Sequence, residues 1–252
     1  MEERFVPAAP GEARPITTEG DAANTGGRGA PINDPRALQI LTTEHWSLLT
    51  ARSLVYNEAF ARGGMFLAFL SATLVVLGLI STGTGFSDAF LLVTAVVLAL
   101  DLFVGVATLG RITAASNDDI RYLQGMNRLR HAYHEITPGL EPYFITSGYD
   151  DIDSVLESYG PAEMSALSGV LHGLTTMPGM IGVICAAVGA GLCGVLALVV
   201  THDAGLAAAA AIVGFVVIFG LVTVLLMRSV EAFGAGFTAH FPKPKNSPTP
   251  GD

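Results

Sequence analysis

The sequence predicts an all-α integral membrane protein with four transmembrane helices and a helical stalk that extends spans 1 and 2 into the cytoplasm. Three observations carry this. The chain of 252 residues is 51% hydrophobic and 14% charged, with a mean hydropathy of +0.53, whereas soluble domains carry charge on about a quarter of their residues. Four uncharged or nearly uncharged stretches, 64–81, 88–110, 178–200 and 205–227, are each long enough at ~1.5 Å per residue to cross a hydrocarbon core of about 30 Å. Lipid offers the backbone no hydrogen-bond partners, so such stretches must be helices. Finally, all 13 lysines and arginines lie before the first stretch, between the second and third, or after the fourth. The positive-inside rule then predicts a multi-pass protein of a bacterial inner membrane, with both termini and the long central loop in the cytoplasm and two short hairpins outside.

Residues 1–34 are rich in Gly, Pro, Ala and charge. They lack both apolar periodicity and the basic start and apolar core of a signal peptide, which predicts a disordered cytoplasmic tail that is retained. Over 35–62, Pro35 opens a run with Leu38, Leu41, Leu48 and Val55 at helical spacing and no Gly or Pro before Gly63. That predicts a cytoplasmic helix continuous with span 1. Spans 1 and 2 form a hairpin over 63–111, in which Asp101 is the one charge inside the apolar runs.

The region 112–177 is expected to be cytoplasmic and helical. Tyr122, Met126, Leu129, Tyr133 and Ile136 recur at steps of four and three, and Thr137-Pro138-Gly139 ends the run. Because the outer hairpin is short, this stripe should pack on that of 35–62. The stretch 140–160 reads as a connector plus one short helix stopped by Gly160-Pro161, and another helix is expected to begin at Pro161. Pro178 opens the second hairpin, 178–228, and 229–252 reads as a Pro-rich cytoplasmic tail without structure.

The stretches TTEHWSLLTARSLVYNEAFARGGMF (42–66) and DDIRYLQGMNRLRHAYHEITPGLEPYF (118–144) resemble a group of uncharacterised bacterial multi-span membrane proteins. That resemblance implies a membrane location and brings no activity or functional residues. In layout alone, a membrane hairpin flanked by cytoplasmic helices is similar to two-span effector modules of bacterial defence systems, which implies pore formation.

Composition excludes some classes. Against 13 basic residues stand 22 acidic ones, a formal net charge of -9, so no basic surplus exists to hold nucleic acid. Neither GxxxxGK[ST] nor a placed GxGxxG occurs. No catalytic set emerges: Ser168 and His172 stand one turn apart but lack GxSxG and a third partner. An enzyme, a cofactor and a metal are therefore not expected. His131, His134 and Glu135 lack HExxH spacing, and the acidic run Asp150, Asp151, Asp153 and Glu157 lacks the EF-hand pattern and reads instead as acids at a helix start that favour its dipole.

Asp101 is the sharpest candidate, since a carboxylate near mid-bilayer costs several kcal/mol unless it is protonated, paired or wet. Thr94, Asp101, Gly105 and Thr108 share one face of span 2. Two readings stay open. Around a symmetry axis of identical subunits, Asp101 with Thr94 and Thr108 would line a path for cations or protons. Alternatively, Asp101 bonds a neighbouring helix as structural glue. In span 3, Gly182, Ala186, Gly189, Ala190, Gly191 and Gly194 form small-residue rows that suit close helix packing. Cys185 and Cys193, about 12 Å apart along one helix, cannot bond to each other. Arg111, Arg121, Arg128 and Arg130 are candidates for contact with anionic lipid or a cytoplasmic protein partner, or for pairs across the stalk with Glu44, Glu58, Asp118 and Asp119. The expected function is a homo-oligomeric channel-like protein; the alternative is a non-catalytic scaffold or accessory subunit that docks a cytoplasmic partner through its stalk.

Overall fold

The computed structural model describes residues 35–159 and 173–244. The helix expected from Pro161, the Ser168/His172 pair, the 1–34 tail and the last eight residues lie outside these. Among the described residues the chain is helical without strands: α1 (Pro35–Thr84), α2 (Asp88–Ile136), α3 (Ile152–Leu156), α4 (Met177–Thr201) and α5 (Ala204–Ala235), with single 3-10 turns at Glu141–Tyr143 and Glu157–Tyr159. Four of these helices, all but α3, are long and apolar enough to cross a membrane.

Each end has a local cause. Gly85 at φ +61 closes α1, donating its N–H to Ser81 O, a left-handed position that glycine takes without a Cβ clash. Ser87 then caps α2 by accepting from Phe90 N. α2 runs to Ile136 and stops where Thr137-Pro138-Gly139 was expected to stop it. Thr176 caps α4 with Pro178 in its first turn. Asp203 accepts from Gly205 N at 2.6 Å and Leu206 N at 3.0 Å to start α5.

The 50 residues of α1 and 49 of α2 each extend over some 75 Å, so both outrun a bilayer at the same end and form the stalk. They are antiparallel, as four pairs show: Leu48 faces Gly125, Arg52 bonds Asp119, Glu58 bonds Arg111, and Thr73 bonds Asp101. The seam of α1 descends through Leu41, Leu48, Val55, Ala59, Phe66 and Leu77, all at least partly buried, in steps of four, seven and eleven that keep one stripe facing its neighbour. Leu41, Leu48 and Val55 are stripe residues read from the sequence; Leu38, the fourth, stays half exposed.

α4 packs on α2 and α5 on α4, so each span neighbours the next in chain order. All four meet in one cluster near the stalk side: Ala59 and Phe66 from α1, Leu109 and Ile112 from α2, Ile181 and Cys185 from α4, Val222 from α5. A second cluster around Leu77, Phe90 and Leu91 closes the hairpin end.

Two departures from expectation share a cause. α5 continues to Ala235, about two turns beyond the expected span end, and residues 237–244 are docked rather than bare. Below the bilayer α5 finds partners on α2: Asn117 reaches Ser229 Oγ, and the Arg121 guanidinium lies 5.5 Å from the Phe233 ring centre. In the chain beyond, the backbone groups of Thr238, His240, Phe241 and Lys243 are bonded by side chains of α2 and of Asp150 and Asp151.

Candidate functional site

Inside the membrane the polar side of α2 turns inward. Asp101 is 0% exposed. Thr73 on α1 donates to its Oδ1 at 3.3 Å, and Oδ2 has no partner among the described residues. Thr94 is also buried, its hydroxyl spent on Phe90 O. Thr108 is part-buried and lines a crevice between α1 and α2. The three side chains therefore share the face that packs within the protomer.

The small residues of α4 meet two neighbouring helices, α5 and α2. A Cβ at Gly182 would lie 2.8 Å from Val222, one at Gly189 would collide with Ile218, and one at Gly194 would lie 3.2 Å from Ala211, all on α5. Gly191 faces Leu98 of α2, Ala186 is fully buried, and Ala190 approaches Gly214. Close backbone approach replaces side-chain bulk where lipid removes the hydrophobic drive for association. Cys185 and Cys193 are both free; Cys185 packs under Gly105 and Cys193 under Gly214.

Outside the spans, two buried aspartates organise a head. Asp119 on α2 is 3% exposed. Its Oδ1 accepts from Arg52 Nε at 2.5 Å, and its Oδ2 accepts from Tyr56 at 2.9 Å and from the Tyr159 hydroxyl. Burial first, then the carboxylate they serve, pushes both tyrosine hydroxyls above their ordinary values. Tyr159 thereby ties the end of the α3 region to the stalk. A mostly apolar cavity of about 430 Å³, lined among others by Tyr56, Phe60, Ile112, Tyr159 and Met177, adjoins this node. Tyr159→Phe removes one charge-assisted bond and is expected to lower head stability by ~1–2 kcal/mol, measurable as a lower thermal midpoint in detergent with helicity retained.

Asp150 is 0% exposed and accepts three bonds: Arg128 Nε at 2.7 Å, His240 N at 2.9 Å and Phe241 N at 2.6 Å. Its own N–H returns to Phe241 O. Thr238 O accepts from Gln124 and Arg128, Lys243 N donates to Asp151, and the Phe241 ring stacks on His131 at 4.3 Å. Asp151, next in line, caps α3 through Ser154. Of the acidic run, then, Asp151 serves the helix start as expected for its type, while Asp150 serves the C-terminal segment.

The four candidate arginines separate. Arg111 pairs with Glu58 at 2.8 Å and Arg121 with Asp118 at 3.8 Å, both well exposed. Arg128 belongs to the Asp150 node, and Arg130 donates to Asn127 Oδ1 at 2.5 Å. Of the acids weighed as stalk partners, Glu58 and Asp119 bridge α1 and α2. His131 and His134 line a cleft of about 520 Å³ with Glu141, Tyr149, Glu157 and Lys243, in which polar and apolar groups are mixed. No group of three His, Cys, Asp or Glu arranged for a metal occurs among the described residues.

Sequence reasoning weighed Asp119 only as a surface partner for arginines and missed Arg52, Tyr56, Tyr159, Gln124 and the Asp150 node. Asp119 sits in step with the inward stripe of α2, between Ile112 and Leu123, which is a signal that it is buried. Asp150 carries no such signal, because its main-chain partners lie some 90 residues away. No family, curated protein or solved structure matches this chain.

Proposed function

We propose that this chain is a non-catalytic membrane scaffold, anchored by four spans in a cell membrane, whose head and stalk dock a partner protein on the cytoplasmic side. One observation carries the reading. Along the stretch of α1 beyond the spans, Leu38, Ile40, Trp46, Leu49 and Leu54 stay exposed, Trp46 at 63% and Ile40 at 68%. Lipid does not cover this part of the helix, and exposed aromatic and aliphatic groups on a rigid support mark protein-binding surfaces. The head behind it is held by Asp119 and Asp150, which pre-orders the surface and lowers the entropic cost of binding.

The orientation rests on the one-sided placement of lysine and arginine. The fourth span, the least buried of the four, leaves most of its surface to lipid or to a second copy of the chain. A conducting assembly is the second reading, favoured by the unpartnered Asp101 Oδ2; against it, Asp101 faces its own protomer's α1.

Two measurements separate them. With Trp46→Lys, the partner recovered by cross-linking in intact cells is expected to be lost while membrane insertion persists; recovery of the same partner would defeat the docking reading. In liposomes of the purified protein, no cation or proton flux is expected. Flux in the wild type that Asp101→Asn abolishes, with the assembly intact, would establish conduction instead.

A further inference from the structure

Where spans give way to stalk, α1 and α2 each bring one arginine to a single carboxylate. Glu58 Oε1 accepts from Arg62 Nε and from an Arg111 terminal nitrogen, both at 2.8 Å. One negative charge cannot balance two guanidinium groups, so the trio keeps a net positive charge. The arginine side chains remain 43% and 57% exposed.

Beside this trio the two helices part. The crevice between them, about 280 Å³, is lined by Arg62, Met65, Phe66, Phe69, Val104 and Thr108. Arg62 precedes Met65 and Phe66 by one turn, and Arg111 follows Thr108 by one turn, so both cations stand at the stalk-side mouth. Phe66 is buried and forms the floor, whereas Met65 and Phe69 are exposed on the lipid-facing wall. The crevice thus runs from a cationic mouth into the apolar part of the span.

We propose that this crevice binds one anionic phospholipid, its phosphate held between Arg62 and Arg111 and a length of acyl chain laid along Met65, Phe69 and Val104. Guanidinium forks match phosphate oxygens, and an anion at this depth meets positive charge where the bilayer presents its headgroups. A lipid fits better than a soluble anion because the wall beneath the arginines is apolar, and an acyl chain can cover it. Glu58 competes with the phosphate for the same N–H groups and so sets the strength of binding. The site is independent of the docking surface on the outer part of α1.

The test is a titration of the full-length protein in detergent with phosphatidylglycerol and with phosphatidylcholine of matched chains, bound lipid being counted by native mass spectrometry. Preferential retention of phosphatidylglycerol is expected. Arg62→Gln with Arg111→Gln should weaken it by about fivefold per arginine. Val104→Trp, which fills the crevice without changing charge, should also weaken it. Glu58→Gln should strengthen it, a gain that a folding defect would not produce. Excess inorganic phosphate should leave the lipid in place. Equal retention of the two lipids, an unaffected double variant, or displacement by phosphate would each overturn the proposal.

Discussion

Asp150→Ala is expected to free residues 237–244 from the head and to lower its stability by about 3 kcal/mol, at the level seen when one partner of a buried, hydrogen-bonded ion pair is removed. The loss is large because one side chain serves three donors from two distant parts of the chain. Truncation leaves Arg128 half-buried without its acid and two amides without acceptors. Hydrogen exchange at His240 and Phe241 should rise sharply while α4 and α5 stay protected; unchanged exchange there would refute the assignment.

The same node predicts a pH dependence. Burial alone would raise the Asp150 carboxyl, but the His240 N–H, the Arg128 guanidinium and the Phe241 N–H outweigh it and hold the carboxyl below its ordinary value. A depressed folded value means that the stabilisation is complete above the unfolded value, about pH 4, and is lost as pH falls through the folded value. Wild-type thermal midpoints should therefore drop on acidification below about pH 4, and by less in Asp150→Ala.

Gly105→Leu is expected to abolish the folded membrane domain. A Cβ at Gly105 would already stand 2.7 Å from Cys185 Sγ and 2.8 Å from the tip of Phe66. Cys185 is 0% and Phe66 1% exposed, so neither has space to retreat. Gly105→Ala should cost ~1–3 kcal/mol, as overpacking does, and the longer leucine should exceed that by forcing α1 and α4 off α2. Gly110→Ala is the control: nothing lies within 4 Å of a Cβ there, so alanine should be neutral or stabilise by about 0.5–1 kcal/mol through helix propensity. Equal melting of Gly105→Leu and wild type in detergent would show that the three helices do not meet at this point.

These sites differ in how much the sequence reveals of them. Leu48, Val55, Met126 and Leu129 were readable as stripe residues because helical periodicity is local, and each side chain's direction follows from its position in the turn. Gly182, Gly189 and Gly194 were readable as a packing row for the same reason, though not which neighbour each would meet. Asp101 stood out as costly at mid-bilayer. Its composition and spacing suited an axis between subunits and a contact inside one equally well, and only the packing of α1 on α2 brought Thr73 to it. Asp150 looked like one more acid at a helix start. Its role depends on main-chain groups near residue 240, which no pattern around residue 150 encodes.

What the sequence determined by itself was the number of the spans, the stalk that prolongs two of them, and those helix boundaries that capping and breaking residues mark, such as Thr137-Pro138-Gly139 and Pro178; the end of α5 was not among them. Those follow from bilayer thickness, helical period and capping chemistry, all of which act over a few neighbouring residues. What only the tertiary structure decided was the partner of each polar group: Thr73 for Asp101, Arg52 for Asp119, Arg128 with the His240 and Phe241 amides for Asp150. Such pairings depend on which helices lie side by side and in what register, and that is fixed by the packing of whole surfaces rather than by local patterns.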